Sequence, residues 1–305
     1  MNDESFISIR AAHSGDLGPL VELLQAAPPT PGAPLPAPAA AVDPASRLVA
    51  ERDGDIIGTV RYIPGAGHAA AIVPPRLARW DEDLAAALFR AAAARVRRRH
   101  GAKLIQTLLE PGGADPAITA LQQAGFARLA MLVYMRRGVT EDDLSLPLSD
   151  QIVWRSYTRL RHRKFADTIA DTYRESLDCP GLRGLRTVND AIRTHKHTGR
   201  FQPKRWRLAV LGRSPVAVAM VNELRGRGEL VYLGVVPGAR EGGIGRDLLS
   251  RAIRDTAEMG FGEMGLAVDE GNIPAVRLYR AAGFEETHRR LAYFVPGENL
   301  DAMGE

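Results

Sequence analysis

Apolar residues recur along this chain in two rhythms, one suited to strands and one to helices. Residues 229–236 read ELVYLGVV, an almost uncharged run of aliphatic, β-branched and aromatic side chains that predicts a strand. Pro237-Gly238 ends it. Beyond a glycine-rich turn, Leu248, Leu249, Ala252, Ile253 and Ala257 share one face of a helix. A short strand over 264–268 and a helix from Asn272 follow, with Asn272 as N-cap, Pro274 in the first turn and Gly283 as the stop. Upstream in this half, strands are expected near 152–157, 206–210 and 216–223. Phe165, Ile169, Thr172 and Tyr173 mark a helix, and a shorter one is expected near 189–197.

The first half runs through the same order. A strand is expected at 6–10, then a helix at 16–25 with Leu17, Leu20, Val21 and Leu24 on one face. Residues 26–45 are rich in Pro and Ala and predict an extended loop. A hairpin over 47–62 turns at Asp53-Gly54, and a strand over 69–73 is expected to end at Pro74-Pro75. A long helix from about Trp80 to His100, a strand at 104–109 and a helix at 115–124 complete the set. Pro116-Ala117 with Gly125-Phe126 repeats the spacing of Pro274-Ala275 with Gly283-Phe284, so the chain reads as two copies of one unit. The expected division is a first lobe at 1–137, an acidic connector at 138–150, a second lobe at 151–296 and a tail at 297–305. The fold class is α/β with mixed sheets, the first lobe degenerate.

Composition narrows the function classes. With 305 residues, two domains are expected. The 40 Lys and Arg nearly balance 36 Asp and Glu, which gives no reason to expect a nucleic-acid partner. No apolar run reaches the ~18–20 residues of a membrane span. A single cysteine, Cys179, and no leader pattern predict a cytoplasmic protein. His195 and His197 stand two apart, on different faces of a helix, so no metal site is expected.

The candidate chemistry lies in Arg240-Glu241-Gly242-Gly243-Ile244-Gly245-Arg246. A glycine-rich turn that opens a helix gathers unpaired N–H groups and the positive end of the helix dipole, a seat for a phosphate or pyrophosphate. The third glycine of a dinucleotide loop and the Gly-Lys-Ser/Thr of a Walker loop are both missing. In the first copy the same place reads Arg76-Leu77-Ala78-Arg79-Trp80, whose bulky side chains would keep a pyrophosphate from the backbone.

Arg240-x-x-Gly243-x-Gly245 resembles the acyl-CoA loop of the Gcn5-related N-acetyltransferases. Asn272, Ala275, Tyr279, Gly283 and Phe284 match that family's second motif. The two-lobe plan is similar to that of the mycothiol synthases, although no substrate motif carries over. The resemblance implies acetyl-CoA as co-substrate, gripped by Val235, Val236, Arg240, Glu241, Gly242, Gly243, Ile244, Gly245, Arg246, Asn272 and Tyr279. It implies transfer of an acetyl group to a primary amine on a small molecule or peptide, in a monomer or homodimer. Tyr279 is implied as proton donor to the departing thiolate and Glu229 as general base, with Glu223, Asp269 and His288 as fallbacks. Gly234 is expected to leave room for the thioester, and Arg183, Arg186 and Asp190 to influence acceptor choice. The competing expectation is a non-catalytic acyl-CoA-binding sensor or regulatory pseudoenzyme.

Overall fold

The computed structural model describes residues 6–28, 30, 42–112 and 114–302. Most of the Pro/Ala-rich loop expected over 26–45 lies outside them. In chain order the first elements are β1 (Ile7–Ala11), α1 (Leu17–Ala26), β2 (Arg47–Arg52), β3 (Asp55–Pro64), β4 (Ala69–Leu77), α2 (Glu82–His100), β5 (Leu104–Leu109), α3 (Asp115–Gln123) and β6 (Ala127–Gly138). There follow β7 (Ile152–Ser156), α4 (His162–Thr172), α5 (Val188–Lys196), β8 (Trp206–Leu211), β9 (Ser214–Leu224) and β10 (Arg227–Val235). Then come α6 (Ile244–Ala257), β11 (Glu263–Asp269), α7 (Ile273–Ala281), β12 (Glu285–Phe294) and α8 (Gly297–Ala302).

Two compact units result. One is residues 1–130 with 290–305, the other residues 131–289. The boundaries fall inside β6 and β12, not in the acidic connector. The register explains this: Leu291 to Phe294 of β12 pair with β5, while Leu132 to Gly138 of β6 pair with β11. Each unit is a mixed sheet in which, among the described residues, one contact is parallel, β4 with β5 and β10 with β11, and the others are antiparallel.

In the first unit α2 buries Leu88, Phe89, Ala92 and Val96, and Phe89 meets Phe126 at 5.8 Å between ring centres. Contrary to expectation, β4 does not stop at Pro74-Pro75 but continues to Leu77. The pairing with β3 shifts register there, from Arg61↔Val73 to Thr59↔Arg76. A bulge is where a sheet tolerates proline, because the residue it inserts owes no ladder hydrogen bond. The long helix starts at Glu82, two residues later than expected, because Asp81 caps it by accepting from the Leu84 amide (2.9 Å).

The second unit packs helices on both faces of its sheet. Leu248, Leu249, Ala252 and Ile253 of α6 cover Leu230, Met264 and Leu266 on one face. On the other, Phe165 and Ile169 of α4 and Ile192 of α5 cover Trp206, Leu208, Val218 and Met220. Each of these leucine, isoleucine, valine, methionine and phenylalanine side chains contributes about 1.5–3 kcal/mol when buried. The connector is part of this unit: Asp143 is buried beside Arg137 (2.8 Å), and Leu146 packs on the α6 side of the core.

Candidate active site

β10 and β11 run side by side for only three residue pairs, Gly228↔Met264, Glu229↔Gly265 and Leu230↔Leu266. β10 then continues to Val235 and β11 to Asp269 without pairing. The cause lies on the other edge of β10, where the register with β9 shifts between Leu230 and Tyr232. The bulge adds twist and swings β10 away from its parallel neighbour. From Val231 to Val235 every residue is half-buried, as befits an opened edge. The Val236 amide donates to the Val216 carbonyl of β9 (2.9 Å), so strand alternation turns the Val235 amide toward the opening.

The chain then enters the glycine-rich turn. Glu241 and Gly243 take left-handed backbone angles, φ +67° and +80°, and α6 begins at Ile244 with no side-chain cap. Among the described residues, the amides of Glu241, Gly242, Gly243, Ile244 and Gly245 meet no protein acceptor. Five unsatisfied donors at a helix N-terminus form the concavity that suits an anion. The Arg246 amide, also expected here, closes the first turn on the Gly243 carbonyl (2.9 Å). In the first unit the equivalent helix start already holds a carboxylate, that of Asp81.

Arg240, expected to bring charge to the loop, is engaged elsewhere. Its guanidinium donates to the carbonyls of Val235 (3.2 Å), Thr172 (3.1 Å), Arg174 (2.9 Å) and Glu175 (3.2 Å), tying the turn to the end of α4. Asn272 caps α7, its Oδ1 accepting from the Ala275 amide (3.4 Å). Gly234 makes room for protein: a Cβ there would lie 2.7 Å from the Tyr232 hydroxyl and 2.9 Å from Thr172.

Tyr279 of α7 is 7% exposed, with its ring edge-on to Phe284 at 5.9 Å. Burial, and then the negative charge of Asp178, push its hydroxyl well above the ordinary tyrosine range, so it keeps its proton. Glu229 lies on the same face of β10 as Arg227, which donates to it from Nε (3.2 Å). Burial raises the Glu229 carboxyl above its usual value, and Arg227 opposes the rise. A small cleft in front of it is lined by Tyr134, Arg136, Arg227, Gly265, Thr287 and His288. His288 stacks on Tyr134 at 4.3 Å.

Sequence reasoning missed Asp178. The Asp269 amide donates to its Oδ1 (3.3 Å), while the Asp269 carboxylate accepts from the amides of Cys179 (3.1 Å) and Gly271 (2.9 Å). This pins the 177–187 loop to the end of β11. The partners are about 90 residues apart in the chain, and no local pattern announces them. Burial, Asp178 and Asp269 all push the Cys179 thiol up, so it stays protonated and unreactive.

These elements can be compared with known proteins. The family model described as Acetyltransferase (GNAT) family matches residues 169–284, from α4 to the residue before β12. Mycothiol acetyltransferase of Kineococcus radiotolerans is 30% identical over 216 residues, 65% of this chain and 68% of the relative. The chain belongs to the GNAT family. Mycothiol acetyltransferase of Nocardia farcinica is 28% identical over 273 residues, covering 83% of this chain and 84% of the relative. The structure of a GCN5-related N-acetyltransferase from Sphaerobacter thermophilus shares the fold, with a TM-score of 0.63 at 19% identity over 94% of this chain and 95% of that one. As a GNAT protein it is an acyltransferase, and acetyl-CoA-dependent N-acetylation is the general activity of its kind. No helix among the described residues is long and apolar enough to cross a membrane.

Proposed function

We propose that the second unit transfers an acetyl group from acetyl-CoA to a primary amine, and that the first unit is catalytically silent. The observation that carries this reading is the row of five free amides from Glu241 to Gly245, set directly after the opened edge of β10. These amides would hold the diphosphate of the co-substrate, whose thioester supplies the activated acetyl group. The Val235 amide would donate to the thioester oxygen as negative charge gathers there. Arg240 would hold the turn in place through the end of α4, beside the amides that take the diphosphate.

Glu229 would take the proton from the amine, and its raised pKa brings it closer to the affinity a general base needs near neutral pH. Tyr279, protonated across the physiological range, would donate a hydrogen bond to the departing sulfur. Its hydroxyl makes no hydrogen bond to protein among the described residues, so it is available for that contact. The relatives are named for mycothiol acetylation, which makes a small-molecule amine the leading acceptor class.

Isothermal titration with acetyl-CoA tests the assignment. One site per chain is expected, lost on Gly243→Val. Two equivalent sites would contradict a silent first unit.

A further inference from the structure

The helix α4 covers only part of its face of the second unit's sheet. Its Phe165 and Ile169 pack on Leu208, Val218 and Met220 of β8 and β9. The neighbouring strand β7 pairs with β8 and ends the sheet on that side. Ile152 and Trp154 of β7 turn to the α6 side, so strand alternation aims Val153 and Arg155 at the α4 side. Val153 is 41% exposed there, so the helix leaves it uncovered. The flank of α4 toward this strand carries Arg161, Lys164, Thr168 and Asp171, spaced by three and four residues.

The space between them is a cavity of about 530 Å³, floored by Leu208, Val210 and Pro215. That volume is within the roughly 300–1,000 Å³ of small-molecule sites. The cavity shares no lining residue with the glycine-rich turn or with the cleft before Glu229. Arg155 of β7, Lys164 of α4 and Arg213 of the β8–β9 turn all reach it, and none of these side chains has a hydrogen bond or ion pair among the described residues. Arg161 also lines it and donates from Nη1 to the Ser156 carbonyl (3.2 Å). The two carboxylates of the lining, Asp167 and Asp171, are paired with Arg163 (3.7 Å) and Arg174 (3.4 Å), which lie outside it. Four cations thus face two carboxylates that already have partners. Three unpaired cations from three elements repel one another across one space, and its apolar floor concentrates their field.

We propose that this cavity is a second ligand site, which takes a small phosphate monoester carrying an apolar group. Such a monoester is close to a dianion at neutral pH and balances the excess of two positive charges. Its oxygens suit the planar forks of Arg155 and Arg213 in pairs of hydrogen bonds, with Lys164 as a point charge. The apolar group rests on Leu208, Val210 and Pro215. An acidic peptide spreads single charges along its length, whereas the cations here converge on one small space, so a compact dianion fits them better. The site does not depend on the acetyl-transfer reading.

Calorimetry on the full chain tests this with phenyl phosphate, inorganic phosphate and a hexaglutamate peptide as probes. Phenyl phosphate should bind at a site that Gly243→Val leaves intact, which separates it from the glycine-rich turn. It should bind about 10-fold or more tightly than inorganic phosphate, because its ring covers the apolar floor. Arg155→Gln and Arg213→Gln should each weaken it by about 10-fold, the scale of one charged hydrogen bond. Both side chains are exposed and unpaired, so these variants should melt with the parent. Four results would overturn the proposal: no binding of phenyl phosphate, equal affinity for inorganic phosphate, binding lost in Gly243→Val or indifferent to both arginine variants, or tighter binding of the peptide.

Discussion

Glu229 and Gly265 face each other across β10 and β11, one pair before the strands part. A Cβ on Gly265 would lie 2.9 Å from both the Glu229 carboxylate and the Arg227 Nε. Those atoms end flexible side chains, so Gly265→Ala should fold normally while displacing the carboxylate. A misplaced base costs rate more than binding, so kcat should fall by about 10- to 100-fold with acetyl-CoA affinity unchanged. Unaltered kcat would remove Glu229 from the chemistry.

The pH profile offers a second check. Glu229 must be ionised to accept a proton, so the acid limb of kcat/KM should lie above the ordinary glutamate range. Arg227 holds that pKa down; Arg227→Met should shift the limb to higher pH, and Glu229→Gln should abolish it. A limb that stays in place in Arg227→Met would assign the titration to another group.

Tyr279→Phe removes a hydroxyl that has no protein partner among the described residues. Stability should therefore change by less than about 0.5 kcal/mol in thermal melts. Turnover should drop by roughly 10²-fold, the usual scale for losing a general acid, with acetyl-CoA affinity nearly constant. A collapse of affinity or of melting temperature would make the ring's packing on Phe284 its main contribution.

Within the turn, Gly243 and Gly245 should respond differently. Gly243 has φ +80°, where an L side chain costs about 1–2 kcal/mol, so Gly243→Ala should distort the amide row and weaken acetyl-CoA binding. A Cβ at Gly245 meets only Leu278 at an ordinary 3.6 Å, so Gly245→Ala should bind almost as the parent does. Equal losses in calorimetry would show that the turn is not the seat of the diphosphate.

Stability in acid should depend on Asp255, which is fully buried among Arg205, Arg207 and Arg251 (3.1, 2.6 and 2.6 Å). Burial alone would raise its pKa, but hydrogen bonds from Arg207 and Arg251 outweigh that and hold it low. A depressed carboxylate stabilises the fold above the unfolded value of about 3.9 and loses that contribution as pH falls through the folded value. Asp255→Asn should cost about 3–5 kcal/mol at pH 7, and the difference from the parent should shrink below about pH 4. A constant difference down to pH 2 would show that the arginines do not hold the ionised form.

The sequence by itself determined the elements and the phosphate turn, because these are local. Apolar spacing places α6 and α7, and Gly243 supplies the left-handed angle that the turn requires. The tertiary structure decided where functional side chains point. For Arg240 and Asn272 the string gives only the residue types, and folding adds that the Arg240 guanidinium meets the Thr172 and Arg174 carbonyls and the Asn272 Oδ1 accepts from the Ala275 amide. Asp178 reads as an unremarkable loop residue until β11 brings Asp269 to it across the chain. Hydrogen bonds and charges act over a few ångströms of space whatever the separation in sequence, so only folding could bring Asp178 to the end of β11.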